Sequence, residues 1–354
     1  MKTFKFLALC LLFHATGVLG QDLHFSQFNE NPSLINPALT GANGLRASLN
    51  YKKQWQKVTT PFKTFGASFE MRSGATKKKK EEDNFGSKTK EAPKAFFAGG
   101  LAIYRDKAGD GMLGLTQTNL SVAGFVPTGE KSYFSVGLQA SYVQRRIETG
   151  GLIFPNQYAE GGYDANINSG EEFQNQNFGY LDVAAGALWT YRNEERGLKD
   201  HLEKIIHIGG SIYHLTQPQQ KFLLKDNDKL AFKIVAHGDV LFSIPNTRTA
   251  IVPSFLFQKQ GSAMEIIAGG LFKYYMKNDT KYTGYVKRNA LCGGVYYRSF
   301  DAVIIYGLLE WQEQFALGLS YDLTVSKLSQ ASKLRGGVEL TLRYTPPNAY
   351  LYQK

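Results

Sequence analysis

Phe315-Ala-Leu-Gly-Leu-Ser-Tyr-Asp-Leu-Thr324 alternates without a break. Phe315, Leu317, Leu319, Tyr321 and Leu323 share one side of an extended chain, and Ala316, Gly318, Ser320, Asp322 and Thr324 share the other. Successive strand residues point to opposite faces, so the two sets line two different environments. Two other stretches repeat the pattern. Val338, Leu340, Leu342 and Tyr344 oppose Gly337, Glu339, Thr341 and Arg343; Phe134, Val136, Leu138, Ala140 and Tyr142 oppose Ser135, Gly137, Gln139 and Ser141. One such segment alone would suit a half-buried strand of a soluble sheet. Recurrence at about ten residues suits strands tilted across a bilayer.

Outward from these stretches, about fourteen segments of this kind can be read along the chain. They are 45–55, 62–72, 94–104, 115–125, 132–144, 178–192, 204–215, 230–244, 249–259, 263–276, 285–298, 301–310, 314–324 and 334–344. The expected fold is all-β, an antiparallel transmembrane β-barrel of about fourteen strands with an irregular N-terminal lead-in and little helix. An even strand count leaves both termini on one side, the periplasmic one in bacterial single-chain barrels. Pro127-Thr128-Gly129-Glu130 and Pro245-Asn246-Thr247 then read as tight periplasmic turns. The Gly-, Asn- and Gln-rich stretch 147–177 reads as a long extracellular loop. The charged stretch 73–93 is long for the periplasmic side on which it falls.

The N-terminus reads as a secretory signal peptide over 1–20. Lys2 and Lys5 precede a short apolar run from Phe6 to Phe13, and small Gly20 precedes Gln21. The run is too short to span a bilayer. Leu9 occupies the place before Cys10 where a lipoprotein signal has a small residue. Residues 21–43 form the lead-in, expected on the periplasmic side, and 44–354 the barrel. The mature chain keeps one cysteine, Cys292, so no internal disulfide is available and an exported protein must rely on another device. A closed sheet supplies one, because it satisfies its backbone internally and has no edge.

The net charge of +11 raises the question of a nucleic-acid partner. The basic residues are scattered, however, and the one dense run, Lys77 to Lys80, is followed at once by Glu81, Glu82 and Asp83. That block reads as a solvated loop, and export also argues against nucleic acid. No catalytic constellation stands out. His24, His201, His207, His214 and His237 lack paired zinc spacing. His207 and His214, an odd number apart on one segment, are expected on opposite faces. Asp106-Lys-Ala-Gly-Asp-Gly111 lacks the distal glutamate of a calcium loop and reads as a rim turn. No Gly-x-Ser-x-Gly element is present. The expectation is a protein without cofactor, metal or catalytic residues, in which Glu339 and Arg343 face inward in a lumenal charge network.

The most distinctive stretch is Asp22-Leu-His-Phe-Ser-Gln-Phe-Asn-Glu-Asn-Pro-Ser-Leu-Ile-Asn-Pro-Ala-Leu-Thr-Gly41. Asn31-Pro32 and Asn36-Pro37 hold each pre-proline residue out of the α region, so the segment should be fixed and irregular. Phe25-Ser-Gln-Phe28, the two Asn-Pro pairs, Ala38, Gly41 and Tyr51-Lys-Lys-Gln-Trp55 match, in order and approximate spacing, the opening of the PorP/SprF family of type IX secretion system membrane proteins. Tyr104-Arg-Asp-Lys-Ala-Gly109, Gly318-Leu-Ser-Tyr-Asp322 and Gly336-Gly-Val-Glu-Leu-Thr-Leu-Arg-Tyr344 extend the resemblance to the last strand.

The resemblance implies a Bacteroidetes-type cell outer-membrane barrel that works with the type IX machinery in export or surface anchoring of secreted proteins. The cargo it implies is a gliding adhesin or a protein with a C-terminal targeting domain. It implies outer-membrane lipids and peptidoglycan-linked periplasmic proteins as further partners. Phe25, Gln27, Phe28, Asn31, Pro32, Asn36, Pro37, Tyr51, Gln54 and Trp55 are the partner-binding candidates it marks. The competing expectation from the residues alone is a passive porin-like channel or small-solute transporter, because fourteen strands can leave a lumen.

Overall fold

The computed structural model describes residues 23–55, 60–73, 94–109, 111–149, 152–159, 161–164, 166–170, 175–196, 201–220, 229–276, 289–326 and 335–346. The signal-peptide expectation and nearly all of the charged stretch 73–93 lie outside them. The strands, in chain order, are β1 (Arg46–Gln54), β2 (Phe62–Arg72), β3 (Phe96–Ala108), β4 (Leu113–Gly129), β5 (Ser132–Arg146), β6 (Tyr158–Ala159), β7 (Gly162–Tyr163), β8 (Asn177–Arg196), β9 (His201–Tyr213), β10 (Lys233–Ser243), β11 (Thr249–Gln260), β12 (Ala263–Tyr275), β13 (Ala290–Arg298), β14 (Ala302–Trp311), β15 (Phe315–Thr324) and β16 (Arg335–Tyr344). Fourteen of them form one closed antiparallel barrel in which β1 pairs with both β2 and β16. All fourteen predicted segments overlap these strands. The other two, β6 and β7, form a small separate hairpin within the long 147–176 connection.

The wall separates two environments residue by residue. Leu319 is 56 % exposed on the outside, while its neighbour Ser320 is 1 % exposed on the inside. On β1, Arg46, Ser48, Asn50, Lys52 and Gln54 all point inward and are buried. A polar lumen beneath an apolar exterior is the arrangement of a barrel in hydrocarbon. Both ends of the exterior carry exposed aromatics: Trp189, Trp311, Phe315 and Tyr344 at the near end, where β1 begins and β16 ends, and Tyr51, Tyr142, Tyr297 and Tyr321 towards the far end. Paired aromatic girdles mark the two membrane interfaces.

Prolines are placed where the ladder tolerates them. Pro253 lies within β11, and the pairing with β10 lapses opposite it, between Asp239–Ser254 and Phe242–Ile251, because proline has no N–H to give. The predicted turn at Pro127–Glu130 is corrected: β4 runs on to Gly129, and Glu130 and Lys131 make the turn. Pro127 is accommodated because it extends past Phe96, where β3 begins its pairing with β4, and a bulge follows it. The turn at Pro245–Thr247 forms as expected, with Asn246 left-handed at φ 59° and the Thr247 N–H donated to the Ile244 carbonyl.

The lead-in, expected on the periplasmic side, lies inside the barrel. Residues 23–41 fold into three short 3-10 turns, Phe28–Glu30, Pro32–Leu34 and Pro37–Leu39. Each of the last two starts at a proline of an Asn-Pro pair, whose preset φ and missing N–H suit the first position of a helical turn. Phe28 and Ile35 belong to the same buried apolar cluster as Leu256, Ile267, Tyr296 and Ile304 of the wall. The reason for this placement is physical. A fourteen-stranded wall encloses more space than its own side chains fill, and its inward polar groups need partners.

Candidate functional site

The lumen and the segment that fills it are built from complementary polar groups. At the far end, the Lys52 ammonium donates to the His24 carbonyl at 3.4 Å. The Glu339 carboxylate accepts the Ser26 N–H at 2.7 Å and the Gln27 N–H at 3.1 Å. Ser26 Oγ donates to Asp322 at 2.7 Å, and Asp322 also accepts from Arg298 at 2.9 Å. The Gln27 amide donates to Ser320 Oγ and to the Glu339 carbonyl, each at 3.2 Å. Phe25 sits against Tyr104 with ring centroids 6.0 Å apart, and Phe28 meets Tyr296 edge-on at 5.9 Å.

The chain then passes to the near end, where Glu30 is held between two guanidinium groups. Arg46 approaches one oxygen at 2.8 Å and Arg343 the other at 2.7 Å. Arg343 also reaches Glu310 at 2.9 Å, and Lys273 closes on Glu310 at 2.6 Å. The lumenal charge network expected around Glu339 and Arg343 is therefore present, with the lead-in's own carboxylate as a member. Buried charges of this kind are tolerable only when paired and hydrogen-bonded.

Beyond Glu30 the segment turns back towards Tyr104 and Tyr213, whose hydroxyls meet Ser33 Oγ at 2.7 Å and the Ser33 carbonyl at 3.1 Å. Ser211 donates to the Ile35 carbonyl and Ser135 to the Ala38 carbonyl. Asn36 is completely buried. Its Oδ1 accepts the Ala38 N–H at 2.9 Å, and its Nδ2 faces the Ala187 carbonyl at 2.9 Å and His237 Nε2 at 3.0 Å. Two wall glycines make room here. A Cβ on Gly186 would meet Asn36 Oδ1 at 2.0 Å, and one on Gly137 would meet the backbone of Pro37 and Ala38 at 2.3 Å. The segment ends with the Gly41 N–H on Glu70 at 2.7 Å, just before β1 enters the wall.

The structure thus gathers Phe25, Gln27, Phe28, Asn31, Asn36 and Pro37 as buried contacts within the lumen, with Pro32 half-buried among them. It does not bring the second candidate element to them as a unit. Gln54 is buried at the far end of β1, and Trp55, left-handed at φ 54°, packs on Phe62 at 4.7 Å. Tyr51 points outward and is 42 % exposed on the hydrocarbon face. Parity on β1 dictates that split, since positions 51 and 54 differ by an odd number.

The histidine expectation is corrected. His207 and His214 are both buried, because β9 ends at Tyr213 and His214 adopts φ 63°, which breaks the alternation. His207 pairs with Asp239 at 2.9 Å and His214 with Asp182 at 2.8 Å. Among the described residues no group of three metal-ligating side chains comes together. Sequence reasoning passed over Glu30, Arg46, Glu70 and Asp322, although a polar residue at every inward position of β1 was a signal that the lumen is lined for a polar occupant.

Comparison with known proteins bears on identity. The family model described as type IX secretion system membrane protein PorP/SprF matches residues 18–344. No curated protein matches the chain. Among solved structures, the Ralstonia pickettii toluene transporter TbuX is similar at 10% identity and TM-score 0.43, over 90% of this chain and 93% of that one. BamA from Haemophilus ducreyi lacking POTRA domains 1-3 is similar at 9% identity and TM-score 0.41, over 85% of this chain and 70% of that one. The chain, a closed fourteen-stranded barrel of the outer membrane, belongs to the PorP/SprF family of type IX secretion system membrane proteins.

Proposed function

We propose that this protein is a non-catalytic platform of the type IX secretion system, serving export or surface anchoring of a gliding adhesin or of cargo bearing a C-terminal targeting domain. One observation carries the platform reading over that of a passive channel. The lumen is occupied by residues 23–41, tied to opposite walls through Glu339, Arg343, Ser135 and Glu70. A solute path would have to displace a buried, ion-paired segment.

In this reading the near end, where the strand termini meet, is periplasmic and docks the secretion machinery and peptidoglycan-linked proteins. The far end, with Gln54, Trp55 and the β6–β7 hairpin, faces cargo. Phe25, Phe28, Asn31, Asn36 and Pro37 act by shaping the closed barrel to which partners bind. Outer-membrane lipids surround the wall, and nucleic acid has no part.

Two measurements test the proposal. The intact protein in planar bilayers is expected to be electrically silent; a large, stable conductance would restore the channel reading. Deleting residues 21–41 in the native host is expected to abolish surface display of a partner protein while the barrel still inserts. Normal display in that deletion would overturn the platform role of the segment.

A further inference from the structure

The wall reads the main chain of the lead-in as much as its side chains. Lys52, Arg46, Tyr213, Ser211 and Ser135 donate to the carbonyls of His24, Asn29, Ser33, Ile35 and Ala38. The carboxylates of Glu339 and Glu70 accept the N–H groups of Ser26, Gln27 and Gly41. Ordinary cores satisfy backbone groups within secondary structure and bury apolar side chains between elements. Here side chains from seven different wall positions satisfy the backbone of a segment that adds no strand to the sheet. Main-chain capture combined with side-chain pockets is how proteins hold peptides. The pockets are present too, at Tyr104 for Phe25, at Tyr296 for Phe28, and in the glycine-lined niche for Asn36.

We propose that the lumen is a polypeptide-binding channel and that residues 23–41 are its exchangeable occupant, held in place by their covalent link to β1. The ligand class is a polypeptide segment with two aromatic anchors three residues apart followed by Asn-Pro turns. Main-chain contacts supply affinity without regard to sequence, and the aromatic and asparagine pockets supply selection. Charge supports exchange over permanence. The contacts at Glu30, Glu339 and Glu70 are polar and water-soluble when apart, so release rehydrates the polar lining and bares apolar wall around Phe25, Phe28 and Ile35. The tether at Ala42–Gly44 makes rebinding intramolecular, and a high effective concentration keeps the channel closed at rest. This goes beyond the platform reading and stands or falls apart from it, because its test involves no secretion.

The test uses the full chain with a protease site inserted after Asn43, in the turn before β1, purified in detergent and nicked. A fluorescent synthetic peptide of residues 23–41 is added in excess. Saturable uptake at one peptide per barrel is expected, with release of the native segment seen by mass spectrometry. A peptide carrying Asn36→Ala or Phe28→Ala should bind at least about tenfold more weakly, the scale of a lost buried anchor, and a scrambled peptide, left with main-chain contacts alone, more weakly still. Retention of the native segment by a barrel that stays folded, or equal uptake of the scrambled peptide, overturns the proposal. Should nicking unfold the barrel, hydrogen exchange on the intact protein decides. The Ser26, Gln27 and Gly41 amides should exchange through openings that leave the wall amides protected; protection equal to that of the wall overturns the proposal as well.

Discussion

The Glu339 carboxylate, on the last strand of the barrel, accepts the backbone N–H of Ser26 at 2.7 Å across 313 residues of chain. The same carboxylate takes the next N–H, that of Gln27. The final strand and the first described residues are therefore locked together, and Lys52 stands opposite Glu339 in the β1–β16 register. Substituting Glu339→Gln keeps the shape but replaces one acceptor by an NH₂ facing N–H donors. The expected cost is about 1.5–3 kcal/mol, the range for a hydrogen bond to a charged group. Amide exchange at Ser26 and Gln27 should accelerate by one to two orders of magnitude, about what that energy corresponds to, while β4 and β5 are unchanged. Unaltered exchange at both amides would show that Glu339 does not hold the segment.

Among the described residues of the lead-in, Glu30 is the carboxylate that bridges two wall arginines, Arg46 and Arg343. Glu30→Ala leaves Arg46 buried and short of its closest carboxylate. Removal of one partner of a buried pair costs roughly 3–5 kcal/mol. The heat-resistant compact form in detergent should be lost at a markedly lower temperature. The double variant Glu30→Ala with Arg46→Met should recover part of that loss, since it removes the stranded charge; a double variant no better than the single one contradicts the assignment.

The two close-approach glycines offer a steric test. Gly186→Ala drives a methyl group into Asn36, and Gly137→Ala drives one into the Pro37–Ala38 backbone. Each should destabilise the closed form by about 1–3 kcal/mol, as overpacking does. Gly307→Ala is the control, because a Cβ there meets nothing within 4 Å. Thermal melts that rank Gly307→Ala with the other two would refute the close contact.

The adjacent pair Leu319 and Ser320 tests which face meets lipid. Leu319→Arg places a charge on the exposed outer face and should cost about 2–4 kcal/mol if it lies near the bilayer midplane. Ser320→Ala, on the lumenal face, loses one hydrogen bond to Gln27 and should cost about 1 kcal/mol. Refolding into lipid vesicles, followed by urea titration, measures both. Equal effects would place the two residues in one environment.

The barrel itself was legible because alternation is a local property. Each of the fourteen strands announces its two faces within its own ten or so residues, and a continuous run of such strands can satisfy its backbone in hydrocarbon only by closing. Even the lumenal roles of Glu339 and Arg343 followed from parity. Pro127 was misread because a proline followed by Thr-Gly is good turn chemistry taken alone, and only the shorter reach of β3 beside it shows that no ladder bond is lost there. His214 was misread because nothing local reports where β9 ends.

The sequence by itself determined a membrane barrel, its strand count, its inward polar face, and a lead-in stiffened by two Asn-Pro pairs. Only the tertiary structure decided where that lead-in goes and what Glu30, Arg46, Glu70 and Asp322 are for. The reason is that strand periodicity is written between neighbouring residues, whereas the lumenal contacts join positions up to 313 apart. Their pairing exists only once the closed wall has brought its inward side chains around a common space.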